Sequence, residues 1–355
     1  MRELTYLTET NKEKTGWTGA RKFLYDSLSE YYSLNAQNTS MNRWLSIFIR
    51  HGLGVNKTIF EYHRRNTLRK KFRNLKGKVF QFNDILFNED GRETYMYVDL
   101  TMSYLNYMKN NISEVYKMSG FQKSDSATVE RWAKEQDYYI SSCCSGLFTM
   151  SNWLRKWLIS QGLPSSKIYT VGGGNSVNPE LICSQHRKHN RILFIGMDFK
   201  RKGGFITYEA FKLLREQGEN VELYVIGPTS NPIKNPVDGY HFVGNVSFDE
   251  EAEYYNMCDL FCMPSYFEAY GLVFVEALTF GLPCIGRNCY EMPYFIKNGD
   301  TGLLLKEDNP QELASLMYKG LHDNNMTNNV KDLRSKYLQD YSWSSVAERI
   351  AKVID

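Results

Sequence analysis

From Arg191 onward the chain alternates short apolar runs with longer amphipathic ones, and this alternation restricts the fold more than any other feature. Arg191-Ile192-Leu193-Phe194-Ile195-Gly196 reads as a strand, 205–217 as a helix ended at Gly218, and 221–228 as the next strand. Tyr240-His241-Phe242-Val243 and Leu260-Phe261-Cys262-Met263 continue the series. Short apolar runs between helical segments are strands buried on both faces, so a parallel sheet with helices on both sides is expected. Ligands of such sheets bind at the C-terminal ends of the strands. The loops that follow these strands are therefore where chemistry is to be sought.

The richest of them is Pro264-Ser265-Tyr266-Phe267-Glu268-Ala269-Tyr270-Gly271-Leu272-Val273-Phe274-Val275-Glu276. The run 272–280 is apolar on all sides and stops at Gly281, which reads as a buried helix with a glycine C-terminus. Glu268 then lies in the strand-to-helix loop, and Glu276 one to two turns into the helix. Glu276 is the only formal charge between Glu268 and Arg287. A carboxylate inside an apolar run is costly to bury unless something polar pairs with it. Gly271 sits where the helix begins, lets a ligand approach the free N–H groups, and that helix end attracts phosphate. A nucleotide sugar fits: diphosphate at the helix start, ribose hydroxyls on Glu276, sugar hydroxyls near Glu268.

This segment resembles the E-x7-E motif of retaining glycosyltransferases of the GT-B fold, family 4 type. The likeness continues through Asp249-Glu250-Glu251-Ala252-Glu253-Tyr254-Tyr255 and Cys258-Asp259 before it, and through Gly281-Leu282-Pro283-Cys284-Ile285-Gly286, Glu291-Met292-Pro293 and Asn298-Gly299-Asp300-Thr301-Gly302 after it. It covers roughly Gly146 to the C-terminus. The resemblance implies an α/β protein with two Rossmann-like domains whose parallel sheets face an interdomain cleft. Residues 1–187 would form the acceptor side and 188–340 the nucleotide-sugar side, and 341–355 a C-terminal helix crossing back to the first domain. It further implies donor contacts from Ser265, Tyr270, Gly271, Leu272 and Glu276.

Phe199-Lys200-Arg201-Lys202-Gly203-Gly204 lies between a strand and a helix. Glycines admit a diphosphate and cations neutralise it; a solvated basic turn is the plain alternative. The family's lysine before glycine maps onto Lys202. Its arginine sits several residues earlier, where this chain has Met197 and Asp198, so Arg201 or Lys200 is left to replace it. In the implied mechanism Lys202 and Arg201 stabilise the leaving diphosphate while Glu268 positions the donor sugar. Gly244-Asn245-Val246 is the expected nucleobase loop. There is no D-x-D motif and the six histidines form no metal constellation, so neither metal nor cofactor is expected beyond the nucleotide-sugar co-substrate.

The first half is less clear. Leu4-Thr5-Tyr6-Leu7 reads as a strand followed by a glycine loop, Gly16-Trp17-Thr18-Gly19, and a helix from about Ala20. Gly19 and Trp17 are expected at the acceptor side, with a plain helix-starting turn as the alternative. Asp99, after Tyr95-Met96-Tyr97-Val98, is expected near the acceptor, with a helix N-cap as the competitor.

Charge is uneven. Residues 1–187 carry 26 Lys and Arg against 17 Asp and Glu, a net +9, and the remainder is −6. Between Lys57 and Lys78 there are nine Lys and Arg and one acid, with Leu68, Phe72 and Leu75 at helical spacing. This reads as a basic amphipathic helix suited to an anionic membrane surface, or simply as a solvated face. No nucleic-acid module accompanies it. The N-terminus lacks a signal-like apolar core and the seven cysteines lack a C-x-x-C pair, so a cytoplasmic protein, peripheral at the inner face of the membrane, is expected. The leading function is transfer of a sugar from a UDP- or GDP-sugar to a glycan or lipid-linked acceptor in surface polysaccharide or glycolipid synthesis. A sugar-nucleotide epimerase of the same architecture and a non-catalytic binding module are the alternatives.

Overall fold

The computed structural model describes residues 2–8, 17–38, 70, 75, 77–82, 91–119, 126–175, 177–183 and 189–355. The chain divides into two units, one of Met1–Gly174 with Trp343–Asp355, the other Asn175–Ser342.

In the first unit six strands form one parallel sheet: β1 (Arg2–Thr8), β2 (Tyr32–Asn38), β3 (Lys78–Phe82), β4 (Thr94–Val98), β5 (Gly146–Thr149) and β6 (Ile168–Thr170), ordered β2-β1-β3-β4-β5-β6. Its helices are α1 (Trp17–Leu28), α2 (Met102–Asn111), α3 (Ser113–Met118), α4 (Ser126–Tyr138) and α5 (Asn152–Ser160). Its core is unusually aromatic: Tyr6, Phe80, Tyr97 and Phe148 are all buried, and Phe80 stacks on the other three. Tyr97 also donates its hydroxyl to the carbonyl of Gly172 at 2.8 Å, so its one polar atom is satisfied.

The second unit repeats the plan with β7 (Arg191–Ile195), β8 (Glu222–Ile226), β9 (Tyr240–Gly244), β10 (Leu260–Cys262), β11 (Cys284–Arg287) and β12 (Gly302–Leu305), ordered β12-β11-β10-β7-β8-β9 and parallel throughout. Its helices are α6 (Gly204–Glu216), α7 (Phe248–Met257), α8 (Leu272–Phe280), α9 (Met292–Phe295), α10 (Pro310–His322), α11 (Asn324–Asp332) and α12 (Arg334–Asp340). From β7 the chain runs outward through β8 and β9, then returns to β10 and runs the other way. The strand order therefore reverses between β7 and β10, which pair Leu260 with Ile192 and Phe261 with Leu193. A sheet of this kind opens a crevice where its order reverses, outside the strand ends. α8 is buried from Phe274 to Phe280, and Arg334 donates to the carbonyls of Thr279 and Phe280 at its C-terminus. The last helix, α13 (Trp343–Ile354), belongs to the first unit, where it packs on α1 and β5.

Several expectations change. The division falls at Gly174/Asn175 rather than near residue 187. Asn175 bonds to Tyr341 O and Thr279, and Asn256 donates to Leu181 O, so the segment after Gly174 is tied to the second unit. Trp17 and Gly19 lie in the first turn of α1, not in a loop, and a Cβ on Gly19 would meet only the Phe23 ring at an ordinary 3.5 Å. Asp99 is not a helix N-cap: Thr101 caps α2, accepting from Tyr104 N–H. Asp99 stands half-buried just past β4. Most of the basic stretch between Lys57 and Lys78, and Gly16, lie outside the described residues; Lys78 itself begins β3. No helix among the described residues is long and apolar enough to cross a membrane.

Candidate active site

The loops after β7 and β10 meet at the point where the strand order reverses. Gly203 ends the first of them, in the left-handed region at φ 80°, and a Cβ there would fall 2.4 Å from the carbonyl oxygen of Pro264. Only glycine permits both that conformation and that approach. Across the contact, Tyr266 N–H donates to Arg201 O at 2.9 Å, and the Ser265 hydroxyl donates to Phe267 O at 2.9 Å and Arg201 O at 3.2 Å. Ser265, with no exposed surface, thus holds the loops together rather than presenting its hydroxyl outward.

This docking brings three of the expected residues together. Lys202 Nζ donates to Glu268 Oε2, and Arg201 Nη1 stands 3.9 Å from the same oxygen. Arg201 Nη1 also donates to Phe267 O at 2.7 Å, and its Nε pairs with Asp198 at 3.4 Å. Lys200 is exposed, and Arg201 is the second cation at Glu268. The Lys202 stem runs over Gly196, where a Cβ would meet Lys202 Cγ at 2.8 Å. Gly271 begins α8 at φ 100°, and its Cβ would meet Glu268 Cγ at 3.0 Å. The glycine therefore clears space for the Glu268 side chain as well as for the helix's first N–H groups. Leu272 supplies the first of the helical residues, and Tyr270 is buried with its ring edge-on to Phe295 at 5.0 Å, so its side chain serves packing.

Glu276 belongs to a neighbouring cluster. It is 8% exposed, on the second turn of α8, and Tyr255 of α7 donates its hydroxyl to Oε2 at 3.2 Å. Burial pushes its carboxyl up to about 7, against a weaker opposing pull from the Tyr255 hydrogen bond. Glu251, on the same α7 face as Tyr255, lines with Glu276 a cavity of about 40 Å³ that Asn178, Leu181 and Phe248 also border. Burial first, and the Glu276 charge second, raise Glu251 to about 7 as well. Sequence reasoning missed Glu251. It stands among four acids in the five residues 249–253, of which Glu250 is spent on a capping box with Ser247. Its signal was the i, i+4 spacing to Tyr255, which puts both on one helix face.

Gly244 closes β9 at φ 85° and its carbonyl accepts from Gly227 N–H at 2.7 Å; Asn245 is exposed beside it, one strand removed from β7. Arg287 and Asp308, which the sequence did not single out, adjoin the Glu268 loop: Arg287 pairs with Asp308 at 3.0 Å, and its guanidinium lies 4.3 Å from the Tyr266 ring centre.

Residues 184–335 match the family model described as glycosyl transferases group 1. The chain is 24% identical over 221 residues to the phosphatidyl-myo-inositol mannosyltransferase of Mycobacterium leprae, covering 59% of this chain and 59% of that protein. The chain spans about half the length of the curated relatives it matches. Among solved structures it superposes on WaaG, a glycosyltransferase involved in lipopolysaccharide biosynthesis, with a TM-score of 0.67 at 15% identity over 99% of both chains. It also superposes on Anabaena HepE in complex with UDP and glucose, with a TM-score of 0.63 at 13% identity over 99% of both chains. Two six-stranded parallel sheets flanked by helices are the GT-B fold of these neighbours.

Proposed function

Because residues 184–335 belong to the group 1 glycosyl transferases, we propose that this chain moves a sugar from a UDP- or GDP-sugar to a glycan or lipid-linked acceptor, with retention at the anomeric carbon and without a metal. The observation that carries the reading is the convergence of Lys202, Arg201 and Glu268 where the loops after β7 and β10 touch.

As the bond between sugar and diphosphate breaks, negative charge gathers on the departing phosphate. Lys202 and Arg201 set fixed positive charge beside that position, and the start of α8, which has no side-chain cap at Gly271, adds its own partial positive charge. Two cations and a helix terminus give the stabilisation a divalent ion gives in other phosphate chemistry, so no step here calls on one. Glu268 accepts hydroxyls of the donor sugar and fixes its attitude, and Glu276 accepts those of the ribose. Attack by the acceptor hydroxyl from the face that the diphosphate leaves, with its proton passing to the departing phosphate, then retains configuration. The named activities of relatives in glycolipid and capsule synthesis support an acceptor of that kind. The basic stretch between Lys57 and Lys78 supports a place at the anionic inner face of a membrane, for a protein otherwise in the cytoplasm.

A panel of UDP- and GDP-sugars, incubated in EDTA with and without a lipid-linked glycan acceptor, tests the proposal. Acceptor-dependent transfer in EDTA, with the donor's anomeric configuration kept in the product's proton NMR spectrum, is expected. Loss of transfer in EDTA restored by a divalent ion refutes metal independence. Donor turnover with no need of acceptor favours an epimerase, and failure of every donor to bind or react sinks the assignment.

A further inference from the structure

The stretch 264–271, which carries Glu268, is neither helix nor strand, yet it is held from two sides. On one side is the β7–α6 loop, through the Arg201 and Gly203 contacts described above. On the other is Arg287, the last residue of β11. Its Nη2 and Nε donate to Pro264 O at 3.3 and 3.4 Å. The guanidinium lies against the Tyr266 ring at 4.3 Å and pairs with Asp308 at 3.0 Å. Tyr266 closes the circuit by donating its hydroxyl to Asp308, whose two oxygens lie 2.9 and 2.8 Å away. The Arg287 side chain is only 14% exposed. A guanidinium that stacks on a ring while bonding in its own plane loses little by being fixed, unlike the flexible partners of a surface ion pair.

The circuit ties together the exits of three adjacent strands, β10, β11 and β12, and reaches Glu268 through only two residues of backbone. Pro264 O is its hinge point: Arg287 bonds that oxygen while Gly203 abuts it. We propose that Arg287, Tyr266 and Asp308 are positioning residues that set the height of the Glu268 loop and so align Glu268 with the donor sugar. The geometry stands on its own; only the identity of what Glu268 faces rests on the nucleotide-sugar reading. None of the three is required to touch substrate. They act through Glu268, where a displacement near 1 Å costs up to about a hundredfold in rate.

Tyr266→Phe keeps the ring under Arg287 and removes only the hydroxyl, and Arg287→Lys keeps the charge and removes the flat stack. Hydrogen–deuterium exchange of the peptide spanning 264–271, read on the full chain without any donor, should rise several-fold in both variants. Unchanged exchange there overturns the proposal whatever the enzyme's substrate. Where the wild type transfers sugar, Tyr266→Phe should lower kcat roughly tenfold with donor KM within about twofold. In the Glu268→Gln background the same change should leave the residual kcat untouched, because the brace has nothing left to align. Equal losses in both backgrounds, or a loss in KM alone, would show a merely structural role. Failure of the wild type with every donor would count against the functional reading, while the exchange result still decides the brace.

Discussion

Glu276→Gln separates the stability of this fold from its binding function. The carboxyl is buried and raised from its ordinary 4.5 to about 7, chiefly by loss of water. A raised value means that the folded protein holds a proton that the unfolded chain releases. Stability from this site is therefore complete below pH 4.5 and drains away as pH rises through about 7. The gap corresponds to roughly 3 kcal/mol at about 1.4 kcal/mol per pH unit. Glutamine cannot ionise, and its amide oxygen can accept the same Tyr255 hydroxyl. Removing the Glu276 charge also relieves Glu251, whose carboxyl it helps to raise. The variant should match the wild type at about pH 4.5 and exceed it by up to roughly 3 kcal/mol at about pH 8.5. For a unit the size of Asn175–Ser342 that is a rise of roughly 6–12 °C in Tm. Scanning calorimetry across that range, following the second unit's transition, makes the comparison. Nucleotide affinity should fall in the same variant. Parallel Tm profiles for the two proteins at every pH would refute the argument, since they would show that Glu276 ionises as freely folded as unfolded.

Two further perturbations follow from the docking of the loops. Lys202→Gln should reduce kcat/KM roughly a hundred- to a thousand-fold, as removal of one preorganised charge-stabilising donor does, with donor depletion assays as the measure. Gly203→Ala must place a Cβ 2.4 Å from Pro264 O on a backbone at φ 80°; a destabilisation of roughly 3 kcal/mol is expected in urea unfolding, and a wild-type midpoint would contradict the described contact.

The second unit was the more legible because its strands are buried on both faces. Such strands are continuous apolar runs, and glycine or proline marks their ends, as Pro264 and Gly281 do around β10 and α8. β2 went unseen for the opposite reason. Tyr32-Ser33-Leu34-Asn35-Ala36-Gln37-Asn38 is the edge of its sheet, with Ser33, Asn35 and Ala36 exposed, and edge strands carry polar residues that read as loop. Lys202, Arg201 and Glu268 could be named because each stands in a local pattern of glycines and charges next to a strand. Their partnership across 66 residues was not visible, and neither was the brace, since Tyr266 and Asp308 are 42 residues apart with no shared motif. Glu251 was hidden differently, by neighbours of its own kind: only the turn of α7 sets the half-buried acid whose carboxyl feels Glu276 apart from the exposed ones beside it.

The Lys202–Glu268 pair adds a constraint on how a ligand is taken up. One ammonium donates to the carboxylate that, in the proposed function, holds sugar hydroxyls, and that proposal sets the same ammonium beside the phosphate. A diphosphate that draws Lys202 toward itself leaves a Glu268 oxygen without its donor, and a buried carboxylate left so costs free energy. The sugar's hydroxyls replace what the lysine withdraws, so the two halves of a nucleotide sugar should bind cooperatively while a nucleoside diphosphate alone meets a penalty. Glu268→Gln removes the competitor for Lys202 without changing the size of the side chain. It should therefore bind the nucleoside diphosphate more tightly than the wild type, by roughly tenfold if about 1.4 kcal/mol of the pair's energy is released. The same variant should transfer sugar far more slowly. Isothermal titration of UDP and GDP, set beside transfer rates, reads both effects. A variant whose affinity for the diphosphate falls along with its rate would show that Glu268 assists phosphate binding instead of contending for its lysine.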